Sequence, residues 1–557
     1  MDRNEVLATL SAPGQPLEIV ETEVYGANCR TYKNAPASLC ELFQQNLSDE
    51  SFVVFEDERY SFNDIWGIAS AIGQGLVSDY DIQKGDRVAI CMRNYPEWII
   101  AFEAITSVGA IAVAMNSLWQ AEEIDYGLQN SGCKLLIADQ ERIDLILQAG
   151  MKLSCESLLT RGDQSTDLPH WEQLLKKFAG STMPAVDITP MDDAIILYTS
   201  GSTGRPKGVV SSNLAIMSAL LSWEVTIMSW ILMSSETPQP PTFQPAGLLA
   251  VPLFHVTGCH AMFLMAFRSQ TKLVLMRKWE PQLAAQLIER ERVSSFTAPS
   301  AMTADLVYRA QQGGHDLSSL AMVGGGGAAR SPEQVRGIDA VFDNAMPNTG
   351  WGMTETNAIG TTIAGENYLE RPGSSGQPAA VLDIRIADEE GNILAPGERG
   401  EVQIRGASMF RGYWNNPDAT ANSHIDGWFK TGDVGYLDEE DYLFIVDRIK
   451  DMVIRGGENI GCGEVEAALL EHPQIREAAV YSVPDQRLGE EVGSTIYCNG
   501  ANIDDAELRG FLAARVARFK IPRYIQVSDT ALPRTASEKI YKLQIKQQAL
   551  AALNIEP

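Results

Sequence analysis

Between Tyr198 and Val210 the chain reads YTSGSTGRPKGVV, a run of glycines and Ser/Thr hydroxyls with one arginine and one lysine between apolar flanks. Glycine tolerates positive φ and carries no Cβ to block a ligand, so bare N–H groups, hydroxyls and a lysine can gather around phosphate oxygens. Polyphosphate is the ligand class this chemistry selects. The stretch departs from the P-loop, because Lys207 is followed by Gly208 where Ser or Thr would supply a magnesium ligand. A second glycine run, Gly324–Gly327 in LAMVGGGGAARSPEQVRGI, could let the backbone pass flat against a planar ligand such as a purine. Two such runs in one chain weigh more than either alone. His255, Cys259 and His260 raise a metal reading, but two histidines and a cysteine without a further partner more commonly line a core or a pocket.

These residues need elements to position them. Ala194–Tyr198 reads as a buried strand and SSNLAIMSALL as a polar cap followed by a helix, so the first loop is expected to join a strand to a later helix. Ser331, Pro332 and Gln334 supply an N-cap, a first-turn proline and a capping-box partner for the helix after the second loop. Two apolar stretches, residues 99–119 and 247–267, are interrupted by Glu103 and by Pro252, His255 and His260, which suits α/β core better than a membrane span. The polar stretch 234–245 reads as an exposed loop. After Asp447 short strands around 478–483 and 493–498 alternate with helices, one carrying Leu508, Phe511, Leu512 and Val516, as in a small α+β domain. The 557 residues exceed what a single core holds. The expected fold class is therefore α/β, a large N-terminal domain of packed sheets and helices followed by a smaller α+β domain.

A net charge of −28 argues against nucleic acid or an anionic membrane as a general partner. Any anionic substrate must then meet a local positive site. Eight cysteines without a CxxC pair, and an N-terminus lacking a basic start and apolar core, suggest a reducing, cytoplasmic setting.

Five stretches carry a family resemblance: YTSGSTGRPKG, GWGMTET (350–356), GWFKTGDVG (427–435), DRIKDMVIRGGENI (447–460) and PRTASEKIYK (533–542). In this order they resemble the adenylate-forming superfamily of acyl-CoA synthetases, amino-acid adenylation domains and beetle luciferases, with fatty acyl-CoA synthetases the most similar members. The resemblance implies an N-terminal adenylation domain at 1–446, a hinge at 447–450 and a mobile lid at 451–557. It implies two half-reactions: a carboxylate attacks the α-phosphate of MgATP to give an acyl-adenylate and pyrophosphate, and a thiol then displaces AMP. Negative charge accumulates on the phosphoryl oxygens, so cationic and hydroxyl donors must be fixed around that centre.

Carried over residue by residue, Thr199, Ser200, Ser202, Thr203 and Lys207, with Gly201 and Gly204 between them, would hold the β- and γ-phosphates. Thr354 would contact the α-phosphate and Glu355 would bind magnesium, for which one or two carboxylates suffice beside phosphate oxygens. Gly325, Gly326, Gly327 and Ala328 would line the adenine and acyl pockets. Trp351, followed by Gly352 and Met353, stands where the family has tyrosine; it should keep stacking on adenine while losing a hydroxyl. Asp433 would accept from the ribose hydroxyls with help from Arg448. His255 would lie beside the acyl carboxylate, Lys450 would be the hinge, and Lys539 would be the catalytic lysine of the first half-reaction. Arg455, Gly456 and Gly457 open a loop that in CoA-using relatives lies along the pantetheine tunnel.

The implied substrates and cofactors are ATP, Mg2+, coenzyme A and a carboxylic acid. No carboxylate follows His255 to bind an ammonium, so a plain acid is favoured, first a medium- or long-chain fatty acid and next an aryl acid. Loading of a carrier protein in trans, a luciferase-type oxidation and a degenerate nucleotide-binding protein stay open, as do a homodimer and weak peripheral membrane association. Two departures stand out. Glu538 precedes Lys539 where the family has glycine, which would strain the backbone if φ is positive and would set a negative charge beside a phosphate site. IGCGEVE (460–466) replaces a proline-bearing helix start, which puts the shape of the thiol tunnel in question.

Overall fold

The computed structural model describes residues 2–163, 167–199, 206–233, 242–327, 330–501 and 503–555. Four sheets larger than a hairpin organise them. In a seven-stranded sheet, Arg87–Cys91, Ile111–Ala114, Leu135–Asp139 and Glu156–Thr160 run parallel, and Asp193–Thr199 joins beside Ile111–Ala114. Their near-continuous Val/Ile/Leu/Ala runs are buried along their length, as parallel strands covered on both faces must be. The helix Phe62–Asp79 begins with a Ser61–Asp64 capping box and turns Ile65, Ala69, Ile72 and Leu76 inward at helical spacing.

A nine-stranded sheet places Ser295–Thr297, Met322–Gly326 and Met346–Trp351 side by side in parallel register. Between these two sheets lies an aromatic core. Trp98 stacks on Phe102 at 5.5 Å, and both meet the edge of Phe263, at 6.4 and 5.6 Å. Truncating one such buried ring to alanine typically removes about 3–5 kcal/mol of stability. The two apolar stretches that might suggest membrane spans become core here: Pro96–Ser107 with Ile111–Ala114, and Ala246–Leu249 with the π-helical segment Thr257–Leu264. Among the described residues, one helix, Asn213–Met233, is long and apolar enough to cross a membrane, and 56% of its apolar window is buried inside the protein.

A third sheet contains Leu382–Ala387, Gly400–Gly406, Trp428–Leu437 and Leu443–Arg448. The fourth, Val453–Arg455, Glu458–Ile460, Glu477–Asp485, Gly489–Tyr497 and Tyr524–Ser528, encloses its own core around Val465, Leu469, Val480, Val492 and Leu512. The molecule is thus a large α/β domain followed by a smaller α+β domain, as the sequence predicts. Residues 449–452 carry the chain from the third sheet to the fourth.

The first glycine loop differs from expectation. Lys207–Ser212 is itself a strand, antiparallel to Asp193–Thr199, with Lys207 opposite Thr199. The loop therefore closes a hairpin, and the helix follows only at Asn213. Val209 and Val210 are fully buried, which is what pulls this short segment into the sheet before the helix can start. Ser200, Gly201, Ser202, Thr203, Gly204 and Ala328, and most of the 234–245 stretch, lie outside the described residues.

Candidate active site

The second glycine run forms the strand Met322–Gly326, pressed between its neighbours. A Cβ on Gly325 would stand 2.1 Å from the carbonyl oxygen of Ala298, and its φ of +146° also favours glycine. Gly327, at φ +85°, faces a different partner: a Cβ there would stand 3.1 Å from Nζ of Lys539. The strand's end is thus bare enough for a lysine from the small domain to reach it.

Beside it, Met346–Trp351 runs through Gly352 and Met353 into a short 3-10 turn at Thr354–Thr356. Asn357 and Ala358 leave that turn in the left-handed region, at φ +56° and +66°. Two such residues in succession are strained, and Asn357 is held by donating to the carbonyl of Ser408 at 2.8 Å. Trp351 does more than offer a face for stacking. Its indole N–H donates to Oδ2 of Asp433 at 2.7 Å, while Oδ1 of Asp433 pairs with Nε of Arg448 at 2.8 Å. Burial pushes the Asp433 carboxyl up, and Arg448 and the Trp351 hydrogen bond pull it down. Both oxygens are aimed by these partners, on the strand Trp428–Leu437 and its neighbour Leu443–Arg448.

Glu355 is buried and its carboxyl is raised, first by desolvation. The hydroxyl of Tyr413 donates to its Oε1 at 2.8 Å, and the charges of Arg448 and Lys207 act on it in the opposite sense. The ammonium of Lys207 stands 5.0 Å from the centroid of the same Tyr413 ring. Tyr413 is the residue that motif reading missed. The signal available was FRGYWNNP (410–417), whose Gly412 and Tyr413 pair with Val210 and Val209 at the edge of the phosphate-loop hairpin. A buried carboxylate with one oxygen bonded and a lysine nearby suits a hard divalent cation bridging to phosphate oxygens.

Lys539 enters this cluster from the small domain. Burial and the charge of Arg448 push its pKa down to about 8, and Asp433 opposes them. His255, just before the π-helical segment, is pushed down to about 3 by its apolar surroundings and by Lys539, so it is a neutral imidazole. Lys207, Trp351, Glu355, Asp433, Arg448, Lys539 and His255 are linked by these contacts and charges, with cations from two domains; Thr199 lies opposite Lys207 in the hairpin and Thr354 opens the turn that carries Glu355. A polyanion placed among them would meet Lys207, Arg448 and Lys539 with no basic patch needed elsewhere, consistent with the acidic chain as a whole.

Arg455, Gly456 and Gly457 are not brought here. Arg455 is paired within the small domain to Glu491 by two bonds of 2.7 and 3.0 Å. Lys450 lies in the exposed turn after Arg448. Cys259 and His260 are buried in the core, and among the described residues no group of three His, Cys, Asp or Glu is placed to hold a metal.

Comparison with known proteins agrees with this geometry. Residues 41–414 match the model of the AMP-binding enzyme family and residues 464–539 that of the AMP-binding enzyme C-terminal domain. The long-chain-fatty-acid–CoA ligase FadD13 of Mycobacterium tuberculosis is 31% identical over 89% of this chain and 94% of its own length. A feruloyl-CoA synthase of an Amycolatopsis species is 32% identical over 84% of this chain and 89% of its own. Among solved structures, the o-succinylbenzoate CoA synthetase MenE of Bacillus subtilis, in complex with its acyl-adenylate intermediate, superposes with a TM-score of 0.76 at 26% identity, covering 92% of this chain and 98% of that one.

Proposed function

The chain belongs to the AMP-binding enzyme family and is an AMP-forming acid–CoA ligase working through an acyl-adenylate; from that premise we propose that its acid is a medium- or long-chain fatty acid, and that the residues gathered around Lys539 carry the first half-reaction. The observation that supports this most is the insertion of Lys539 from the small domain against Gly327, beside Asp433 and Arg448. In the first step a carboxylate oxygen of the acid would bond to the α-phosphorus of ATP as the bond to the bridging oxygen breaks and pyrophosphate leaves. Lys539 and Thr354 would hold the α-phosphoryl oxygens, and Lys207 with the Thr199–Thr203 hydroxyls the leaving pyrophosphate. Asp433 would accept from the ribose hydroxyls, and Trp351 would fix that carboxylate while offering its face to adenine.

Glu355 would hold Mg2+, which when bound neutralises phosphate charge as it moves to the leaving group. His255, neutral in this site, would donate one N–H to the acid's carboxylate without adding charge. In the second step the sulfur of coenzyme A would attack the acyl carbonyl carbon, and AMP would leave as the thiol gives up its proton. The lid would turn about Lys450 between the steps to bring the Arg455–Asn459 loop forward, with hinge and domain limits as the motifs place them. The 1–446 and 451–557 units would each move as a body.

A fatty acid is preferred because the segment after His255 offers apolar side chains and no carboxylate to pair an ammonium. An aryl acid is the second reading, favoured by the similarity to a feruloyl-CoA synthase at the same level of identity. Release of AMP across a panel of aliphatic and aryl acids, each with coenzyme A and without it, separates the two. Selective turnover of C8–C18 acids supports the first, and preference for cinnamic or benzoic acids replaces it with the second.

A further inference from the structure

Glu538, immediately before Lys539, has φ +61°. The position does call for glycine, and glutamate bears a steric strain there that glycine would not. The carboxylate has a partner of its own, away from the lysine that follows it. The charged groups acting on Lys539 are Arg448 and Asp433. Glu538 turns to Arg534, whose Nη1 lies 3.6 Å from its Oε2. Burial raises its carboxyl, Arg534 and Lys278 oppose that rise, and Asp305 adds to it.

Arg534 is the centre of this cluster, and its partners come from two domains. Nη2 pairs with Oε1 of Glu477 at 2.6 Å, inside the small domain. Nη1 donates to Oδ2 of Asp305 at 3.2 Å, on the large domain's helix Ser300–Gln311. Asp305 is itself fixed, since the same oxygen accepts from the indole N–H of Trp279 at 2.9 Å, and Trp279 stacks on Phe296 of the core. One turn along the same helix, the Tyr308 ring receives the guanidinium of Arg476 from the small domain at 5.5 Å. Ala536, between Arg534 and Lys539, packs against the large domain's core.

Given the functional reading above, we propose that Asp305 and Arg534, with Glu538 completing the charge cluster, form a pose-specific latch that positions Lys539 for adenylation and parts when the lid turns. The Arg534–Glu477 pair travels with the small domain in either pose, so opening never strands the guanidinium without a partner. The Arg534–Asp305 pair crosses the domain boundary and exists only while Lys539 is inserted. Asp305 and Arg534 touch no reacting atom; they are positioning residues. Glu538 shares Arg534, so the residue that strains the lysine's turn is also tied to the guanidinium that crosses the boundary.

The test uses the full chain with Asp305→Asn, Arg534→Gln and the double substitution, measuring the half-reactions apart. Asparagine keeps an acceptor for Trp279 and removes only the charge. Pyrophosphate release without coenzyme A should slow about two- to fivefold in each single variant, the scale of a part-exposed ion pair. Thioester formation from supplied acyl-adenylate should stay within twofold, and the double variant should be no slower than the slower single. Equal loss in both half-reactions, or independent effects that multiply, overturns the latch. Hydrogen exchange of the 533–541 turn gives a readout that needs no turnover: it should be faster in Asp305→Asn than in the parent chain, and equal exchange overturns the latch. If the parent chain releases no pyrophosphate with any acid, the functional reading fails, while the exchange comparison still decides the latch.

Discussion

On the proposed reading the small domain carries two faces that act in turn, and the structure treats them unequally: the turn bearing Lys539 is docked against the large domain, and the loop bearing Arg455 is not. Lys539 stands against Gly327 within the charge field of Arg448 and Asp433, and its turn is tied through Arg534 to Asp305. Arg455 pairs inside its own domain, with Glu491, and Gly456 and Gly457 are exposed. On the proposed reading, the difference assigns this arrangement to the first half-reaction. A site assembled from two bodies can place a lysine at the phosphate for one step and withdraw it for the next, provided that the contacts crossing the boundary are few and part-exposed.

The largest expected effect comes from breaking the docked face. Lys539→Ala should lower single-turnover pyrophosphate release by roughly 10²–10³, the scale for one preorganised charge donor at a reacting centre. Thioester formation from supplied acyl-adenylate should survive, and equal loss of both would make the lysine structural. Next is the joint. Lys450→Pro fixes φ near −65° and restricts Ile449 before it, so acyl-CoA formation should fall by about tenfold or more while pyrophosphate release persists in one turnover. Equal effects on the two steps, in folded protein, would remove Lys450 from the hinge.

A smaller effect should appear with pH. The Lys539 pKa is depressed to about 8, so the ammonium proposed to act in the first half-reaction is lost as pH rises through that value. The kcat/KM for pyrophosphate release should then fall by up to tenfold per unit above pH 8. Bound phosphate favours the protonated form, so the limb in kcat should lie at higher pH. A profile flat to pH 10 would mean that the ammonium is not used.

The docked face was legible in part. Lys207, Glu355, Asp433, Arg448 and Lys539 sit in short local patterns whose residue types declare a phosphate and nucleotide chemistry. Their second partners are remote: Tyr413 reaches Glu355 across 58 positions, Trp351 reaches Asp433 across 82, and Arg534 reaches Asp305 across 229. No local spacing encodes such pairs, because the sheet order that brings them together is a tertiary property. Glu538 shows the same limit at one residue. Its positive φ was to be expected from the glycine that the resemblance places there, whereas the direction of its carboxylate depends on Arg534, which is itself held by Asp305 of the other domain. The hairpin at Lys207–Ser212 was hidden for a related reason, since a polar SSN cap after two valines fits a helix start as well as a strand end.

On the proposed reading the chain makes an acyl-adenylate first and transfers it afterwards, from two poses of one lid. Single-turnover mixing of the enzyme with MgATP and an accepted acid, coenzyme A withheld, tests it most directly. One pyrophosphate should be released per active site with acyl-AMP retained, and that acyl-AMP should convert to thioester and AMP when coenzyme A is added. Pyrophosphate that appears only after coenzyme A is present would contradict it.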